Sequence, residues 1–265
     1  MKSAIRTILA RVGYCSKPDF IIIGAQKAGT TGLFRTLAQH AHISSRVKET
    51  HYFSNDDLYT RKNLYDYHSN FPLPYKVTAG NKVLEGTPIY LYHPQVAKRL
   101  HDYNPDIKLI VALRNPVKRA FSAWTMYHYH FGTGPDKQYY DQRDFTTAIE
   151  EELSSIGETD FYTNKKGYVR RGIYHEQLEK YFDYFDREQI LIVESKELLS
   201  FSEETSQRLQ DFIGVPYQPV ERVVSNKARV AVREDYSVQL QELAHFFKPH
   251  NEKLYDLIGE EYDWD

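Results

Sequence analysis

The stretch Pro18-Asp19-Phe20-Ile21-Ile22-Ile23-Gly24-Ala25-Gln26-Lys27-Ala28-Gly29-Thr30-Thr31 decides how this chain is read. Its first half, Asp19 to Ile23, is a short apolar run that suits a strand buried on both faces. The run ends at Gly24, and a glycine-containing loop follows. Beyond the loop, Leu33, Phe34 and Leu37 recur at helical spacing. The order is strand, loop, helix.

The same order recurs downstream. Lys108-Leu109-Ile110-Val111-Ala112-Leu113 reads as a second buried strand. Arg114-Asn115-Pro116 turns the chain, and Val117 to Tyr129 reads as a helix with Pro116 near its first turn. Ile190-Leu191-Ile192-Val193 is a third strand. It follows a helix marked by Ile173, Leu178, Tyr181, Phe182 and Phe185. Lys82-Val83-Leu84-Glu85 is a weaker strand. This alternation predicts an α/β fold, a single domain over residues 1–265 with a central parallel sheet flanked by helices. Ligands in such sheets bind beyond the carboxyl ends of the strands, where Gly24 and Arg114 fall.

Other segments are less periodic. Asn55–Asn81 and Phe131–Arg143 read as loops or small insertions; the second contains Gly132, Gly134 and Pro135. Glu234–Ile258 is helical in pattern, with a break near Pro249. Residues 1–17 form a helical extension in which Ile5, Ile8, Leu9 and Val12 share one face. That face reads as packing onto the domain, a membrane-surface contact being the minor reading.

Composition narrows the classes. A length of 265 residues favours one large domain. With 41% hydrophobic and 26% charged residues, the chain has the balance of an ordinary globular protein. The formal charge of -2 gives no global field toward nucleic acid, so any anion site is local. Cys15 is the single cysteine, which excludes a disulfide within the chain and suits a reducing compartment. Ile8-Leu9-Ala10 is too short for a signal-peptide core, and no stretch approaches the roughly 20 apolar residues that span a bilayer. A soluble, cytoplasmic protein is expected.

The loop carries the chemistry. Gly24-Ala25-Gln26-Lys27-Ala28-Gly29-Thr30-Thr31 has the frame of the P-loop, Gly-x-x-x-x-Gly-Lys-Ser/Thr, with one departure. Thr30 stands where a nucleotide triphosphatase needs lysine, and the lysine lies inside the loop as Lys27. Backbone amides and a helix N-terminus there cradle a phosphate. A kinase must neutralise a γ-phosphoryl group with Mg²⁺ as well as lysine. A sulfuryl group carries less negative charge, so one loop lysine, amides and two threonine hydroxyls suffice without a metal. A bland strand-to-helix turn also explains Gly24 and Gly29. The strand before, the helix after and Lys27 between favour the anion site.

Taken with three further blocks, the loop resembles the 5′-phosphosulfate loop of sulfotransferases that use 3′-phosphoadenosine 5′-phosphosulfate (PAPS). The resemblance is to the branch containing heparan sulfate sulfotransferases and their bacterial relatives. Lys48-Glu49-Thr50-His51-Tyr52-Phe53 resembles that branch's Lys-Glu-x-His-aromatic-Phe segment. Leu113-Arg114-Asn115-Pro116-Val117-Lys118-Arg119-Ala120-Phe121-Ser122 resembles its 3′-phosphate block, and Arg171-Gly172-Ile173-Tyr174 a later cofactor-side segment.

The resemblance implies roles. Gly24, Ala25, Gln26, Lys27, Ala28, Gly29, Thr30 and Thr31 bind the 5′ side of the cofactor. Lys27 contacts the oxygen that bridges sulfur and phosphate, where charge builds as the bond breaks. Arg114 and Ser122 hold the 3′-phosphate, the arginine through its planar fork. Lys227 and Arg229 either close over that phosphate or form an exposed basic turn. Lys118 and Arg119 are solvated or salt-bridged, a phosphate contact being the minor reading. Glu49 is the general base, and His51 either hydrogen-bonds the acceptor or is itself the base.

PAPS is the expected donor, PAP the product, and no metal is expected. His40 with His42, and His128 with His130, lack the spacing of a zinc site. The expected acceptor is a hydroxyl or amine of a glycan, glycolipid or small hydroxylated molecule. Members acting on heparan-like chains often carry lysine at the position of Gly86, which counts against a heparan-like acceptor here. The competing readings are a P-loop nucleotide kinase and a non-catalytic PAPS- or PAP-binding module.

Overall fold

Phe20–Gly24 forms strand β1, and all five residues are buried, as a continuous apolar run requires of a strand covered on both faces. The computed structural model describes residues 2–131, 137–158, 166–224 and 234–264. Strands β2 (Ile43–Ser44), β3 (Lys82–Gly86), β4 (Lys108–Leu113) and β5 (Ile190–Glu194) join β1 in one parallel sheet, in the order β2-β3-β1-β4-β5. The weaker strand expected at Lys82–Glu85 is thus β3, hydrogen-bonded beside β1 with Ile22 opposite Gly86. The two-residue β2 has no sequence signature.

Helices α1 (Lys2–Arg11), α2 (Thr30–Leu37), α3 (Asp56–Thr60), α4 (Leu64–His68), α5 (Val96–Tyr103) and α6 (Pro116–Thr125) come first along the chain. Then follow α7 (Phe145–Ser154), α8 (Tyr174–Phe182), α9 (Ser195–Ser200), α10 (Glu203–Ile213) and α11 (Ser237–Ile258). Among the described residues no helix is long and apolar enough to cross a membrane.

The chain divides into two compact units, one of residues 1–113 and 181–225, the other of residues 114–180 and 226–265. The first holds the whole sheet. There α2 packs on β1 and β3, and α9 packs on β5. The stretch 55–81, expected as loops or small insertions, contains α3 and α4. Asn55 caps α3 by accepting from the Leu58 amide at 3.0 Å, and Tyr67 and Phe71 are buried. Tyr67 stacks on Tyr52, with ring centroids 4.9 Å apart. The Asn55 cap at α3 and the burial of Tyr67 at α4 make helices here that periodicity alone does not announce.

Helix α1 packs on α4, although not by the expected face. Ala10 is buried and the Arg6 guanidinium donates to the Phe71 carbonyl at 2.9 Å, whereas Ile5, Ile8 and Val12 are exposed.

The second unit has its own core of Ala120, Ala123, Trp124, Phe145, Ile149 and Phe247, with Trp124 donating its indole N–H to the Arg143 carbonyl at 3.1 Å. The break expected at Pro249 does not occur: α11 continues through it. Its buried residues Leu243, Phe247 and Leu254 lie on both sides of the proline, so packing outweighs the lost hydrogen bond. Arg119 is also corrected. It is fully buried rather than solvated, and it donates to the carbonyls of Gly167 and Tyr168. The glycines and proline expected to open the 131–143 segment fall within 132–136, outside the described residues.

Two buried histidines give the first unit an acid-sensitive core. Burial holds His68 and His93 down to about 4, helped by the charge of Lys17 at His68 and of Arg99 at His93. In the unfolded chain each ring titrates near the ordinary histidine value of about 6.5. Between those values the unfolded state binds more protons, so stability drains as pH falls from 6.5 toward 4. Each ring contributes about 2 kcal/mol of loss by pH 5. Glu85, raised by burial, acts in the opposite sense. The check is a urea titration at pH 7 and pH 5. His68→Gln should flatten the difference, and an unchanged slope would contradict the assignment.

Candidate active site

The loop between β1 and α2 is built by steric exclusion at one end and a left-handed turn at the other. A Cβ added at Gly24 would meet Leu91 Cβ at 2.5 Å, so the segment after β3 can press against the β1 terminus only because residue 24 has no side chain. The Ala25 amide donates to the Ala112 carbonyl of β4 at 2.7 Å, which ties the loop to the sheet. Gly29 sits at φ 94°, a left-handed conformation glycine tolerates, and leads into α2 with no side chain capping it. The first amides of α2 therefore keep their capacity for an anion. Lys27, between the two glycines, has φ 72°. Thr30 is buried and Thr31 half-buried at the first turn.

Glu49 and His51 lie on a different element. The Glu49 amide donates to the Gly86 carbonyl at 2.9 Å, at the carboxyl end of β3. Since β3 pairs with β1, both the loop and this turn lie beyond the carboxyl ends of adjacent strands. The segment is not a strand. Glu49 and His51 have φ 65° and 55°, so both residues are left-handed. Their side chains still meet, with His51 Nε2 3.6 Å from Glu49 Oε2, within ion-pair reach and beyond a good hydrogen bond. Lys48 contacts the other carboxylate oxygen. His51 first and Lys48 second hold the Glu49 carboxyl down to about 2, against the opposing effect of burial.

A residue that sequence reasoning left without a role organises this turn. Glu85, on β3, is completely buried. It accepts from Thr50 Oγ1 at 2.7 Å, from Thr87 Oγ1 at 2.9 Å and from the Tyr67 hydroxyl at 2.5 Å. Thr50 lies between Glu49 and His51 and also contacts the Tyr90 hydroxyl at 3.1 Å. Burial raises the Glu85 pKa and the hydroxyls oppose it. The signal was present in the sequence: an acid inside the otherwise apolar run Val83-Leu84-Glu85 has to be buried with partners.

The second unit carries the other anion-binding candidates. Arg114 directly precedes Asn115, whose side chain caps α6 by accepting from the Lys118 amide at 3.0 Å and donates to the Trp264 carbonyl at 2.7 Å. The Tyr174 hydroxyl donates to the Arg114 carbonyl at 2.8 Å. Burial lowers the Arg114 pKa, which leaves a partly desolvated cation. Ser122 lies on α6, about 9 Å of helix rise past Pro116. Lys118 is exposed. Lys227 and Arg229 lie outside the described residues. Among the described residues no group of three or more His, Cys, Asp or Glu side chains is placed to hold a metal ion.

The chain is similar to known proteins over most of its length. The family described as "Sulfotransferase domain" matches residues 17–255. The chain is 28% identical over 269 residues to mouse "Heparan sulfate glucosamine 3-O-sulfotransferase 5", covering 93% of this chain and 74% of the relative. Mouse "Heparan sulfate glucosamine 3-O-sulfotransferase 3B1" is 26% identical over 291 residues, covering 99% and 69%. Among solved structures, a sulfotransferase from Alicyclobacillus acidocaldarius superposes with a TM-score of 0.70 at 28% identity, covering 94% of this chain and 99% of that one.

Proposed function

The chain belongs to the sulfotransferase domain family, and we propose that loop 24–31 and the Glu49–His51 turn form the donor and acceptor sides of its transfer centre. A sulfotransferase of this kind moves a sulfuryl group from PAPS and releases PAP. What carries the reading is that α2 begins without a side-chain cap beyond β1, while Glu49 hangs from the end of the neighbouring β3. The residues fit a phosphosulfate: uncapped amides at the start of α2, two threonines and one lysine on a loop that Gly24 lets pack against Leu91.

Gly29, Thr30 and Thr31 bind the 5′-phosphate, with the loop backbone from Gly24 to Ala28 around it. Lys27 stabilises the negative charge that develops on the bridging oxygen as the bond to sulfur breaks. The acceptor oxygen forms the new bond to sulfur from the opposite side, and its proton passes to Glu49, with His51 orienting the acceptor. Arg114, Ser122, Lys227 and Arg229 take the 3′-phosphate. The chain works as one domain, since the family match runs through segments of both units. We place it in the cytoplasm, a setting that its single thiol suits.

The acceptor is a glycan hydroxyl. Supporting this, the relatives above are named for sulfation of heparan sulfate glucosamine. This chain does not engage such a polymer through a lysine at position 86. A Cβ there would meet Phe34 Cδ2 at 2.9 Å, so a larger residue requires Phe34 to move.

The test begins with calorimetry. PAP should bind and raise the melting temperature, and ATP with Mg²⁺ should not; tighter ATP binding would replace this reading with a kinase. Arg114→Ala should weaken PAP by about 1.5–3 kcal/mol, the scale of a charge-assisted hydrogen bond. Labelled-PAPS transfer is then screened over uronate-containing glycans, neutral glycans, glycolipids and phenols, with chelator present. PAP binding with no transfer to any acceptor would leave the non-catalytic module.

A further inference from the structure

Helix α1 leaves an apolar stripe in solvent. Ile5, Ile8 and Val12 are 54%, 59% and 74% exposed. Their spacing of three and four residues places them on one side of the helix. The opposite side is accounted for by buried Ala10, by Arg6 on the Phe71 carbonyl, and by α4. The stripe also has company. Leu64 and Tyr65 on α4 are exposed, as is Tyr14 just past α1, and the Arg11 guanidinium lies 6.0 Å from the Tyr65 ring centre. A single exposed apolar side chain means little, whereas a contiguous group of them marks a contact surface.

The charge around the stripe selects the partner. Residues 2–18 contain Lys2, Arg6, Arg11 and Lys17 and no aspartate or glutamate. Of these, Arg11 and Lys17 are exposed, whereas Arg6 is turned to the Phe71 carbonyl, with Arg46 near enough for their charges to repel. The whole chain has a formal charge of -2, so the chain outside residues 2–18 is net acidic. A second copy would set this basic surface against an identical one, which like charge opposes. Apolar side chains rimmed by cations match the acyl and headgroup layers of an anionic leaflet. We propose that α1, with Leu64 and Tyr65 of α4, seats the protein side-on upon an anionic bilayer surface without crossing it. This inference is independent of the transfer chemistry.

The experiment is co-sedimentation of the full chain with vesicles of phosphatidylcholine alone, or with about one-third phosphatidylserine. The chain should pellet with the anionic vesicles and release as salt is raised. Ile5→Ser combined with Ile8→Ser should lower partitioning roughly tenfold or more. Neutralising Arg11 and Lys17 with glutamine should lower it roughly fivefold per charge, on anionic vesicles only. These positions are exposed, so the variants should melt with the wild type. Equal pelleting of wild type and the isoleucine variant, equal binding to neutral vesicles, or no binding at all would each overturn the proposal. So would light scattering that showed a dimer which the isoleucine variant dissolves, since a second copy would then cover the stripe.

Discussion

Lys27→Ala is expected to lower turnover by roughly 10²–10³-fold at saturating PAPS, with PAP affinity little changed, the scale of removing one preorganised charge-stabilising donor. The argument starts from backbone geometry. Lys27 has φ 72° between Gly24 and Gly29. For a residue with a Cβ that conformation costs about 1–2 kcal/mol. Glycine adopts that conformation without the cost, so the backbone geometry by itself does not call for a lysine. Lys27→Gly should therefore lose turnover as alanine does while staying within about 1 kcal/mol of wild-type stability. Lys27→Arg should not restore the rate, since a planar fork does not replace a compact charge. Single-turnover transfer with calorimetric melting separates the two effects. Full turnover of the alanine variant at saturating donor would remove Lys27 from the chemistry.

The sheet was largely legible in the sequence because β1 and β4 are buried on both faces. Burial of that kind writes a continuous apolar run, with glycine or arginine marking where it ends. The loop was legible because an anion site needs glycines and a cation at fixed offsets. What escaped depends on tertiary contact. Helices α3 and α4 have five residues each, too few for a period, and exist through the Asn55 cap and the burial of Tyr67. Arg119 looks like its exposed neighbour Lys118 until the carbonyls of Gly167 and Tyr168 surround it. The face of α1 was inverted because periodicity locates a stripe without saying which side meets the protein.

The turn holding Glu49 and His51 shows the same limit more sharply. Residues two apart on an extended segment point the same way, which would bring Glu49 and His51 together. They do meet, but through two left-handed residues around Thr50, which the buried Glu85 carboxylate holds by its hydroxyl. Such conformations are uncommon in residues with side chains, and they cluster where function demands a particular aim.

That geometry sets the terms for the proton transfer. Glu49→Gln keeps the shape and removes the basicity, so transfer should fall by about 10²–10⁴-fold with PAP affinity nearly unchanged. His51→Ala should cost less if the ring only orients the acceptor. With its pKa held at about 2, Glu49 stays ionised across the working range, and its protonation adds no acid limb above about pH 4. A low pKa also makes it a weak base in the free protein. Lys48 and His51 hold its charge there, and an arriving acceptor hydroxyl must compete with them for the carboxylate. The pH profile of single-turnover transfer therefore discriminates as well as the substitutions do. A flat acid side with a collapsed Glu49→Gln rate assigns the proton to the carboxylate. An acid limb above about pH 4, with near-normal Glu49→Gln and a collapsed His51→Ala, reverses the pair: the ring takes the proton and Glu49 steadies the imidazolium that forms.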